Sequence, residues 1–280
     1  MSMPFSVLMS LYIKEKPEYA RECFKSLLNQ TVLADEWVIV EDGPLTEELY
    51  ALLDEYEKKH PGLIKRVPLK ENQGLGKALR EGVLHCTHEI IARMDTDDIA
   101  REDRFAKQIA LFESDPDLDI CGSHIKEFFT TPDEITAVRK VPLTDADIKI
   151  YQKRRDGFNH MTVMFKKTAV LRAGNYQHAL LMEDTLLWVN MILSGAKCKN
   201  IDDYLVFVRT GKDMFERRGG LEYYKKYKVG RKKIYETGYI SRWDYFVTLV
   251  VQFIVSLIPT KLRRYVFENL LRSSNEKGEF

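Results

Sequence analysis

Short apolar runs alternate with amphipathic segments through the first hundred residues, and this alternation constrains the fold more than any other feature of the chain. Runs at 5–12, 37–40, 63–69 and 89–94 have the length and composition of strands that are buried on both faces. Helix-like segments separate them, and a β-α-β-α-β-α-β order produces a parallel sheet with helices on both faces. We therefore predict an α/β fold with a Rossmann-like, mostly parallel sheet.

The segments between these runs carry ordinary helix signals. Pro17 stands at a first helical position, and Thr46 precedes an acidic first turn, as a helix cap does. A short third helix is expected at 76–82. Beyond residue 115 the pattern loosens, and we expect strands at 120–128 and 161–165.

Polar residues follow three of the predicted strands at the point where each strand ends. They are Ser10-Leu11-Tyr12, Glu41-Asp42-Gly43 and Asp95-Thr96-Asp97-Asp98. In open α/β sheets, ligands bind outside the carboxyl ends of the strands. The sequence therefore predicts a binding site at this edge of the sheet before any family is considered.

Three carboxylates within the four residues 95–98 are the most specific feature of that site. A solvated loop or a helix N-terminus would also accommodate carboxylates at this spacing. Mg²⁺ and Mn²⁺, however, prefer oxygen ligands and can bridge to a diphosphate. Because the cluster directly follows a buried strand, where a parallel sheet binds its ligand, we favour a divalent-metal site for a diphosphate.

Two further segments give weaker signals. The loop Asn72-Gln-Gly-Leu-Gly-Lys77 fits neither the P-loop nor the dinucleotide-binding pattern, yet its amides and Lys77 could approach an anion at a helix start. Glu183 and Asp184 open a predicted helix at 183–193. Acidic residues suit a helix start, and a general base needs a carboxylate near the reacting hydroxyl, so both roles are open at this point.

The charge of the chain is divided unevenly, although the formal net charge is only +1. Residues 1–208 contain 27 basic and 34 acidic residues, whereas residues 209–280 contain 16 and 8. The near-neutral total argues against a dedicated nucleic-acid binder. A basic tail on an acidic body indicates an anionic partner for the tail, either nucleic acid or an anionic membrane surface.

The tail also contains an uncharged run of 14 residues at 245–258. A membrane-spanning helix needs about 20 apolar residues, so this run is too short. Its apolar residues recur at helical spacing, and four basic residues follow: Lys261, Arg263, Arg264 and Arg272. We predict a peripheral membrane contact through 241–272. The alternative is a helical hairpin that packs on the rest of the chain, or on a second subunit in a homodimer.

The cysteines and the N-terminus indicate a cytoplasmic protein. Cys23, Cys86, Cys121 and Cys198 are far apart and contain no Cys-x-x-Cys pair, which favours reduced thiols. The first residues lead directly into a strand-like run, so we expect no signal peptide. The predicted location is the cytoplasm, with peripheral attachment to the inner face of the cell membrane.

Five ordered motifs resemble those of the inverting family-2 glycosyltransferases of the GT-A fold. They span residue 5 to about 210 and are Val7-Leu-Met-Ser-Leu-Tyr12, Val40-Glu-Asp-Gly43, Asn72-Gln-Gly-Leu-Gly-Lys77, Ala92-Arg-Met-Asp-Thr-Asp-Asp98 and Met182-Glu-Asp184. The segment 209–220 is similar to that of the bacterial capsule and exopolysaccharide transferases of this family. The resemblance implies a GT-A catalytic domain at 1–210, with a nucleotide-binding half at about 1–100 and an acceptor half at about 101–210. A basic, partly amphipathic helical extension would follow at 211–280.

The resemblance also implies a set of residues that contact the nucleotide sugar. Ser10 and Tyr12 would line the nucleotide pocket at the first strand end. Asp42 would contact the base or the ribose. Lys77 and Arg93 would lie near the nucleotide.

For the chemistry itself, the resemblance implies a metal pair and a base. Asp95 and Asp97 would form the D-x-D pair, with Asp97 as the direct ligand of Mn²⁺ or Mg²⁺ and Asp95 also facing the nucleotide. Asp184 would deprotonate the acceptor hydroxyl. Two positions depart from the commoner residues of the family, since Glu41 replaces an Asp and Thr96 replaces an Ala.

The implied reaction moves a sugar from a nucleotide diphosphate sugar, with a UDP-sugar favoured, to a hydroxyl of a glycan or lipid-linked acceptor. It would proceed with inversion and serve bacterial surface polysaccharide synthesis. A sugar-nucleotide nucleotidyltransferase would use a similar sheet and Mg²⁺, but residues 8–17 lack the Gly-rich loop that usually follows its first strand. A non-catalytic basic protein that binds membrane or nucleic acid would leave the strand-end carboxylates unexplained. We prefer the transferase, with no nucleic-acid partner.

Overall fold

The computed structural model describes residues 3–211 and 219–259 of the chain. Its strands are β1 (Phe5–Leu11), β2 (Glu36–Glu41), β3 (Ile64–Pro68), β4 (Ile90–Arg93), β5 (Ile99–Ala100), β6 (Leu118–Phe128), β7 (Ile135–Arg139), β8 (Met164–Lys166) and β9 (Lys197–Arg209). Its helices are α1 (Pro17–Leu28), α2 (Glu47–Lys59), α3 (Leu75–His85), α4 (Arg104–Ser114), α5 (Asp145–Tyr151), α6 (Lys167–Arg172), α7 (Glu183–Leu193), α8 (Gly220–Glu236) and α9 (Arg242–Leu257). A 3₁₀ helix covers His160–Thr162.

The strands form one sheet in the order β3-β2-β1-β4-β8-β6-β9-β5, with β7 paired to β6. The first four strands are mutually parallel, which confirms the prediction for residues 5–94. Leu8 lies opposite Arg93, and Leu11 lies opposite Glu41. The carboxyl ends of β1, β2 and β4 therefore meet at one edge of the sheet.

The second half of the sheet is less regular than the first. β8 is antiparallel to β4 and β6, β5 is antiparallel to β9, and β7 is antiparallel to β6. The predicted strand at 161–165 is wrong in its first part, because His160–Thr162 is a 3₁₀ helix and the strand is Met164–Lys166. α3 also continues to His85, beyond the predicted end at Gly82.

Two apolar cores lie on opposite faces of the sheet, because successive side chains of a strand point to opposite sides. Val7 packs with Phe24 of α1 on one face, and Leu8 packs with Leu79 of α3 and Trp188 of α7 on the other. Full burial of each large apolar side chain contributes about 1.5–3 kcal/mol. This packing fixes the starts of α3 and α7 beside the strand ends that carry the polar residues.

α8 and α9 form a helical hairpin that packs on α7 and on the loop before it. Ile234 and Ile240 join Met182 and Leu186 in a third buried cluster. Gly230 permits this close approach, since a Cβ at its position would lie 2.4 Å from the carbonyl oxygen of Leu180. The apolar run at 245–258 is helical as far as Leu257, and one side of this helix packs on the rest of the chain.

The outer side of α9 exposes a row of large apolar side chains. They are Trp243, Phe246, Val250, Phe253, Ile254 and Leu257, each at least 39% exposed. None of the helices in the described part of the chain is long and apolar enough to cross a membrane. Of the predicted membrane contact at 241–272, residues 260–272 and their four basic side chains lie outside the described residues.

Candidate active site

Three carboxylates converge immediately after β4. One ligand oxygen from each of Asp95, Asp97 and Asp98 lies within 4.8 Å of the other two. Asp98 is buried; its Oδ1 accepts a hydrogen bond from the backbone N–H of Arg209 at 2.9 Å, whereas its Oδ2 has no hydrogen-bond partner among the described residues. A buried carboxylate oxygen without a donor is costly unless a cation or a proton compensates it. The cluster therefore fits a hard divalent cation.

Burial and mutual repulsion perturb these carboxylates strongly. Burial, followed by the neighbouring charges of Asp95 and Glu15, raises the pKa of Asp97 to about 7. Burial beside Asp97 and Asp95 raises the pKa of Asp98 well above its usual value. A bound cation would favour the ionised forms of both groups, because an opposite charge nearby lowers the pKa of a carboxyl group.

Arg209, at the end of β9, forms one wall of this cluster. Its Nε donates to the backbone carbonyl of Asp97 at 3.2 Å, and its Nη2 forms an ion pair with Glu22. The guanidinium lies 4.0 Å from the ring centre of Tyr19 and 4.6 Å from that of Phe128. Cation–π contacts of this kind hold an arginine in one orientation. Arg209 thus fixes the backbone that presents the carboxylates.

A second acidic side chain approaches the cluster from the loop after β1. The hydroxyl of Thr96 donates to Glu15 Oε2 at 2.9 Å. Burial raises the pKa of Glu15, and the charge of Asp95 adds to this effect. The Thr at position 96 therefore supports a carboxylate beside the metal cluster, a contact that the commoner Ala could not make.

Arg93 interacts with the carboxylate cluster and with a second polar group, formed by Asp184, His160 and Tyr176. Its side chain is almost fully buried, and its Nη2 forms an ion pair with Asp95. Its Nε and Nη1 have no hydrogen-bond partner among the described residues. Burial lowers the pKa of His160, and the positive charge of Arg93 lowers it further. The same charge partly offsets the rise in the pKa of Asp184 that burial causes, so the guanidinium acts on both residues.

Asp184 is the second residue of α7 and lies in its first turn. Its Oδ1 accepts a hydrogen bond from the backbone N–H of Thr185 at 2.8 Å. Burial raises the pKa of Asp184 to about 7, and the nearby charge of Asp156 acts in the same direction. A helix N-terminus normally favours a carboxylate, but here burial outweighs that effect. A carboxyl with a pKa near neutrality is suited to accept a proton.

His160 lies beside Asp184 but is not directly hydrogen-bonded to it. Its Nδ1 is 3.8 Å from Asp184 Oδ2, and its Nε2 is 2.8 Å from the hydroxyl of Tyr176. The ring packs edge-on against Trp188. Burial, followed by the charge of Arg93, lowers the pKa of His160 well below its usual value. His160 is therefore neutral, and its ring can donate one hydrogen bond and accept another without adding charge to the site.

Asp42, which is predicted to contact the base or the ribose, binds the loop at 72–74 through both of its carboxylate oxygens. It is buried, and its Oδ1 accepts from the backbone N–H of Gln73 at 2.7 Å. Its Oδ2 accepts from the backbone N–H of Gly74 and from Asn72 Nδ2, each at 3.0 Å. A Cβ at Gly43, where φ is +84°, would lie 2.6 Å from the backbone nitrogen of Asn72, so the absence of a side chain lets the two segments pass in direct contact. In this structure, Asp42 orders the loop at 72–74.

The remaining predicted nucleotide residues lie at the end of β1 and at the start of α3. Ser10 is half-buried at the end of β1, and Tyr12 is 40% exposed just beyond it. Lys77 is exposed on the first turn of α3. At that turn, a Cβ on Gly76 would lie 2.6 Å from Glu183 Cγ, so the starts of α3 and α7 are in contact. The structure thus places the loop residues and Asp184 on adjoining elements.

Several residues of the site carry no readable signal in the sequence. His160 precedes a segment that the apolar pattern predicts as a strand, and Tyr176 and Asp156 lie in loops without a motif. Arg209 belongs to a segment noted only for its family likeness. The polar cluster at 95–98 did indicate Asp98, but not its burial against the backbone of Arg209.

Comparisons with known proteins identify the family of the chain. The model of glycosyl transferase family 2 matches residues 6–172. The amylovoran biosynthesis glycosyltransferase AmsE of Erwinia amylovora is 42% identical, and the match covers 94% of this chain and 98% of AmsE. The UDP-Gal:alpha-D-GlcNAc-diphosphoundecaprenol beta-1,3-galactosyltransferase of Escherichia coli is 35% identical, and the match covers 96% of each chain.

A solved structure shows the same fold. The mannosyltransferase PcManGT of Pyrobaculum calidifontis, in complex with GDP-Man and Mn²⁺, superposes with a TM-score of 0.65 at 16% identity. The superposition covers 84% of this chain and 65% of PcManGT. The fold prediction and the family resemblance are both confirmed: the chain has the GT-A fold and belongs to glycosyl transferase family 2.

Proposed function

We propose that this chain transfers a sugar from a nucleotide diphosphate sugar to a hydroxyl of a lipid-linked glycan, with inversion, in the synthesis of a bacterial surface polysaccharide. The convergence of the acidic cluster 95–98 on the buried Arg93, whose charge also acts on Asp184, carries this proposal. The names of the Erwinia and Escherichia relatives support the polysaccharide and the lipid-linked acceptor. The second name also supports a UDP-sugar as donor.

On the donor side, Asp97 and Asp95 would hold Mn²⁺ or Mg²⁺, with Asp98 as a third oxygen source. When bound, the cation supplies positive charge that stabilises a departing diphosphate. Arg93 keeps Asp95 in place through its ion pair. The loop at 72–74, ordered by Asp42, and the exposed Lys77 would border the nucleotide, together with Ser10 and Tyr12.

On the acceptor side, Asp184 would take the proton of the attacking hydroxyl. Its pKa of about 7 leaves much of it ionised at neutral pH and makes it a competent proton acceptor. A single displacement inverts the anomeric centre, whereas retention by double displacement needs a second carboxylate that acts as nucleophile. His160 and Thr185 would hold the Asp184 carboxylate in one orientation.

The C-terminal hairpin supports attachment to the inner face of the cell membrane. The outer side of α9 exposes six large apolar side chains, a pattern that suits burial at a lipid interface. Membrane contact would bring the site to a lipid-linked acceptor in the cytoplasm. A homodimer through the same surface is the alternative, and a nucleic-acid partner is not expected.

Measurement of the released nucleotide would test the proposed function. With a UDP-sugar and an acceptor extract, we expect UDP to appear in the presence of Mn²⁺ and to disappear with EDTA. A nucleotidyltransferase would instead release inorganic diphosphate. Failure of a panel of UDP-, dTDP- and GDP-sugars to yield any nucleoside diphosphate, with folded enzyme and Mn²⁺ present, would overturn the proposal.

A further inference from the structure

The chain enters α7, the helix of the proposed base, through a strained turn at 179–182, the entry turn. Leu181 has a φ of 66°, in the left-handed region that a leucine rarely adopts. Its side chain is 44% exposed, so burial of that side chain does not explain the conformation. The backbone N–H of Met182 donates to the carbonyl of Ala179 and closes the turn, and Asp184 follows two residues later. Strain of this kind persists only where the surrounding structure holds it.

Helix α8 contacts the entry turn at very short range. A Cβ on Gly230 would lie 2.4 Å from the carbonyl oxygen of Leu180 and 3.2 Å from Met182 Cγ. Gly230 is buried in the interior of α8, where an alanine would be the better helix former. The space that a side chain at this position would need is therefore taken by the entry turn.

Two further residues of α8 hold the entry turn from the same side. Lys233 Nζ donates to the carbonyl of His178, the residue just before the turn. Ile234 packs with Met182 in the third buried cluster. Because positions three and four apart on a helix share one face, these contacts and that of Gly230 act together.

Arg231 of α8 holds a second segment that contacts the start of α7. It is 2% exposed, and its Nη2 donates to the carbonyl of Lys153. Three residues further along that segment, Asp156 Oδ1 accepts from the hydroxyl of Thr185 at 2.6 Å. The backbone N–H of Thr185 in turn donates to Asp184 at 2.8 Å. Helix α8 thus contacts both segments that meet at the first turn of α7.

We infer that residues 230–234 of α8 position the proposed base, an inference that rests on the proposed function: they hold the entry turn and thereby the orientation of Asp184. In this role α8 acts on the reaction without touching the substrate. An error of about 1 Å in the placement of a catalytic group can cost a factor of about 10² in rate. A displaced entry turn would therefore lower kcat and leave donor binding intact.

Gly230→Ala tests this inference through turnover. Because the added methyl group would press on the Leu180 carbonyl, we expect kcat to fall at least about tenfold at pH 8, with saturating acceptor, Mn²⁺ and a donor that the wild type uses. The affinity for UDP and Mn²⁺, measured by calorimetry, should not change. Val229→Ala, a change at the neighbouring position that is 52% exposed, should leave kcat unchanged. Equal kcat values in the two variants would overturn the inference.

Lys233→Met is a milder variant that tests the same contact if Gly230→Ala does not fold. It removes the donor to the His178 carbonyl and keeps a long side chain that favours a helix. We expect kcat to fall about threefold, the effect of one hydrogen bond. Lys232→Met is the control, since the Lys232 side chain is 67% exposed and pairs only with Glu236 of its own helix, at 3.5 Å. A Lys233→Met enzyme that turns over as fast as this control would contradict the inference.

The ionisation of Asp184 separates positioning of the base from a merely structural role of α8. In protein labelled with ¹³C at the aspartate carboxyls, the Asp184 signal, assigned through Asp184→Asn, should titrate near pH 7, chiefly because the group is buried. A displaced entry turn would hydrate it, so the midpoint should fall by roughly one pH unit in Gly230→Ala and not in Val229→Ala. An unchanged midpoint in Gly230→Ala would overturn the inference. Both variants keep the charged or titratable groups that act on Asp184 directly or through Asp156: Glu183, Arg93, His160, Tyr176, Tyr227 and Arg231.

Release of the nucleoside diphosphate separates the failure of this inference from the failure of the proposed function. If the wild type releases it with an acceptor and Gly230→Ala does so equally fast, the function stands and the role of α8 is wrong. If the wild type releases none with any donor, the function is wrong, and the ¹³C titration still decides whether α8 controls the environment of Asp184.

Discussion

His160 Nδ1 lies 3.8 Å from Asp184 Oδ2, while its other ring nitrogen contacts the Tyr176 hydroxyl at 2.8 Å. The first distance exceeds that of a hydrogen bond, so the ring supports Asp184 by packing and polarity rather than by a direct bond. Because burial keeps His160 neutral, it does not lower the pKa of Asp184 as a cation would. Asp184 thereby keeps a pKa near neutrality.

Asp184→Asn should reduce turnover by roughly 10²–10⁴, because the amide retains the shape and loses the ability to accept a proton. Donor binding, followed by calorimetry with UDP and Mn²⁺, should barely change. Glu183→Gln is the matched control, since Glu183 is the adjacent half-buried carboxylate at the same helix start; it should lower the pKa of Asp184 and leave turnover at pH 8 close to that of the wild type. If donor affinity falls as much as turnover does, Asp184 is a donor-binding or structural residue.

The pH dependence of catalysis should follow the ionisation of Asp184. Its pKa is about 7 in the folded protein, so the group is protonated and inactive as a base below that pH. We expect kcat/KM for the acceptor, at saturating donor and Mn²⁺, to rise about tenfold per pH unit up to about pH 7 and then to level off. A flat profile between pH 5 and 8 would contradict this assignment.

Asp156→Asn should move that profile to lower pH. The negative charge of Asp156 raises the pKa of Asp184, as does that of Glu183, whereas Arg93 lowers it and neutral His160 contributes no charge. Removal of one acidic neighbour therefore favours the ionised base. Asp133→Asn, an exposed carboxylate far along the chain, should leave the profile unchanged. An unchanged midpoint in Asp156→Asn would show that burial alone sets this pKa.

The first half of the fold is predictable because its strands are buried on both faces. β1 and β2 consist almost entirely of buried side chains, so they appear in the sequence as short, mostly apolar runs. β9 begins Lys-Cys-Lys-Asn-Ile-Asp-Asp, with exposed charged residues between buried ones, and gives no such run. The direction of β8 depends on its partners β4 and β6, which no local pattern reveals.

The candidate site likewise has residues that the sequence predicts and residues that it does not. Asp95 and Asp97 are two positions apart in sequence and closely follow a strand, so the position of the metal cluster can be inferred from topology alone. His160 reaches the site from the 3₁₀ helix and Arg209 from the end of β9, and both are more than sixty residues away from the cluster in sequence. Their contacts depend on tertiary packing, and a single sequence does not carry that information.

Asp97→Asn should abolish transfer and the rise in melting temperature that Mn²⁺ and UDP produce together. In EDTA at pH 8, the same variant should melt at a higher temperature than the wild type. The reason is that burial and acidic neighbours raise the pKa of Asp97 to about 7, so its ionised form destabilises the metal-free protein above that pH. Thermal melts with and without Mn²⁺ measure both effects. More than a tenth of wild-type turnover in this variant would exclude Asp97 as an essential ligand.

Arg209→Met should lower the free energy of unfolding by about 1–3 kcal/mol, because a largely buried guanidinium loses its hydrogen bond to the Asp97 carbonyl and its ion pair with Glu22. We also expect weaker Mn²⁺ binding, since the backbone of the cluster is no longer held. Arg21→Met removes a more exposed ion pair with Glu55 and should cost less than about 1 kcal/mol. Urea unfolding of the two variants and the wild type measures both losses in the free energy of unfolding. Equal losses would show that Arg209 has no special structural role.

The exposed row on α9 should bind membranes. Truncation at Arg242 would remove this row but would also break the contacts that α9 makes with Arg154 and Arg231, so surface substitutions are the sharper test. Phe246→Glu with Ile254→Glu introduces two charges at positions that are 56% and 54% exposed.

We expect the wild type to sediment with vesicles that contain anionic lipid at low salt, and the double variant to stay in the supernatant, because burial of a charged side chain at the apolar interface is unfavourable. Leu33→Glu with Leu84→Glu is the matched control, at positions 58% and 52% exposed on the catalytic body. It should sediment like the wild type.

Since the row on α9 is apolar, sedimentation should weaken but not vanish as salt rises, whereas attraction by basic residues alone would be lost. If the wild type does not sediment at any salt concentration, the apolar row is covered by a second subunit instead, and the wild type should then have the mass of a dimer and the double variant that of a monomer.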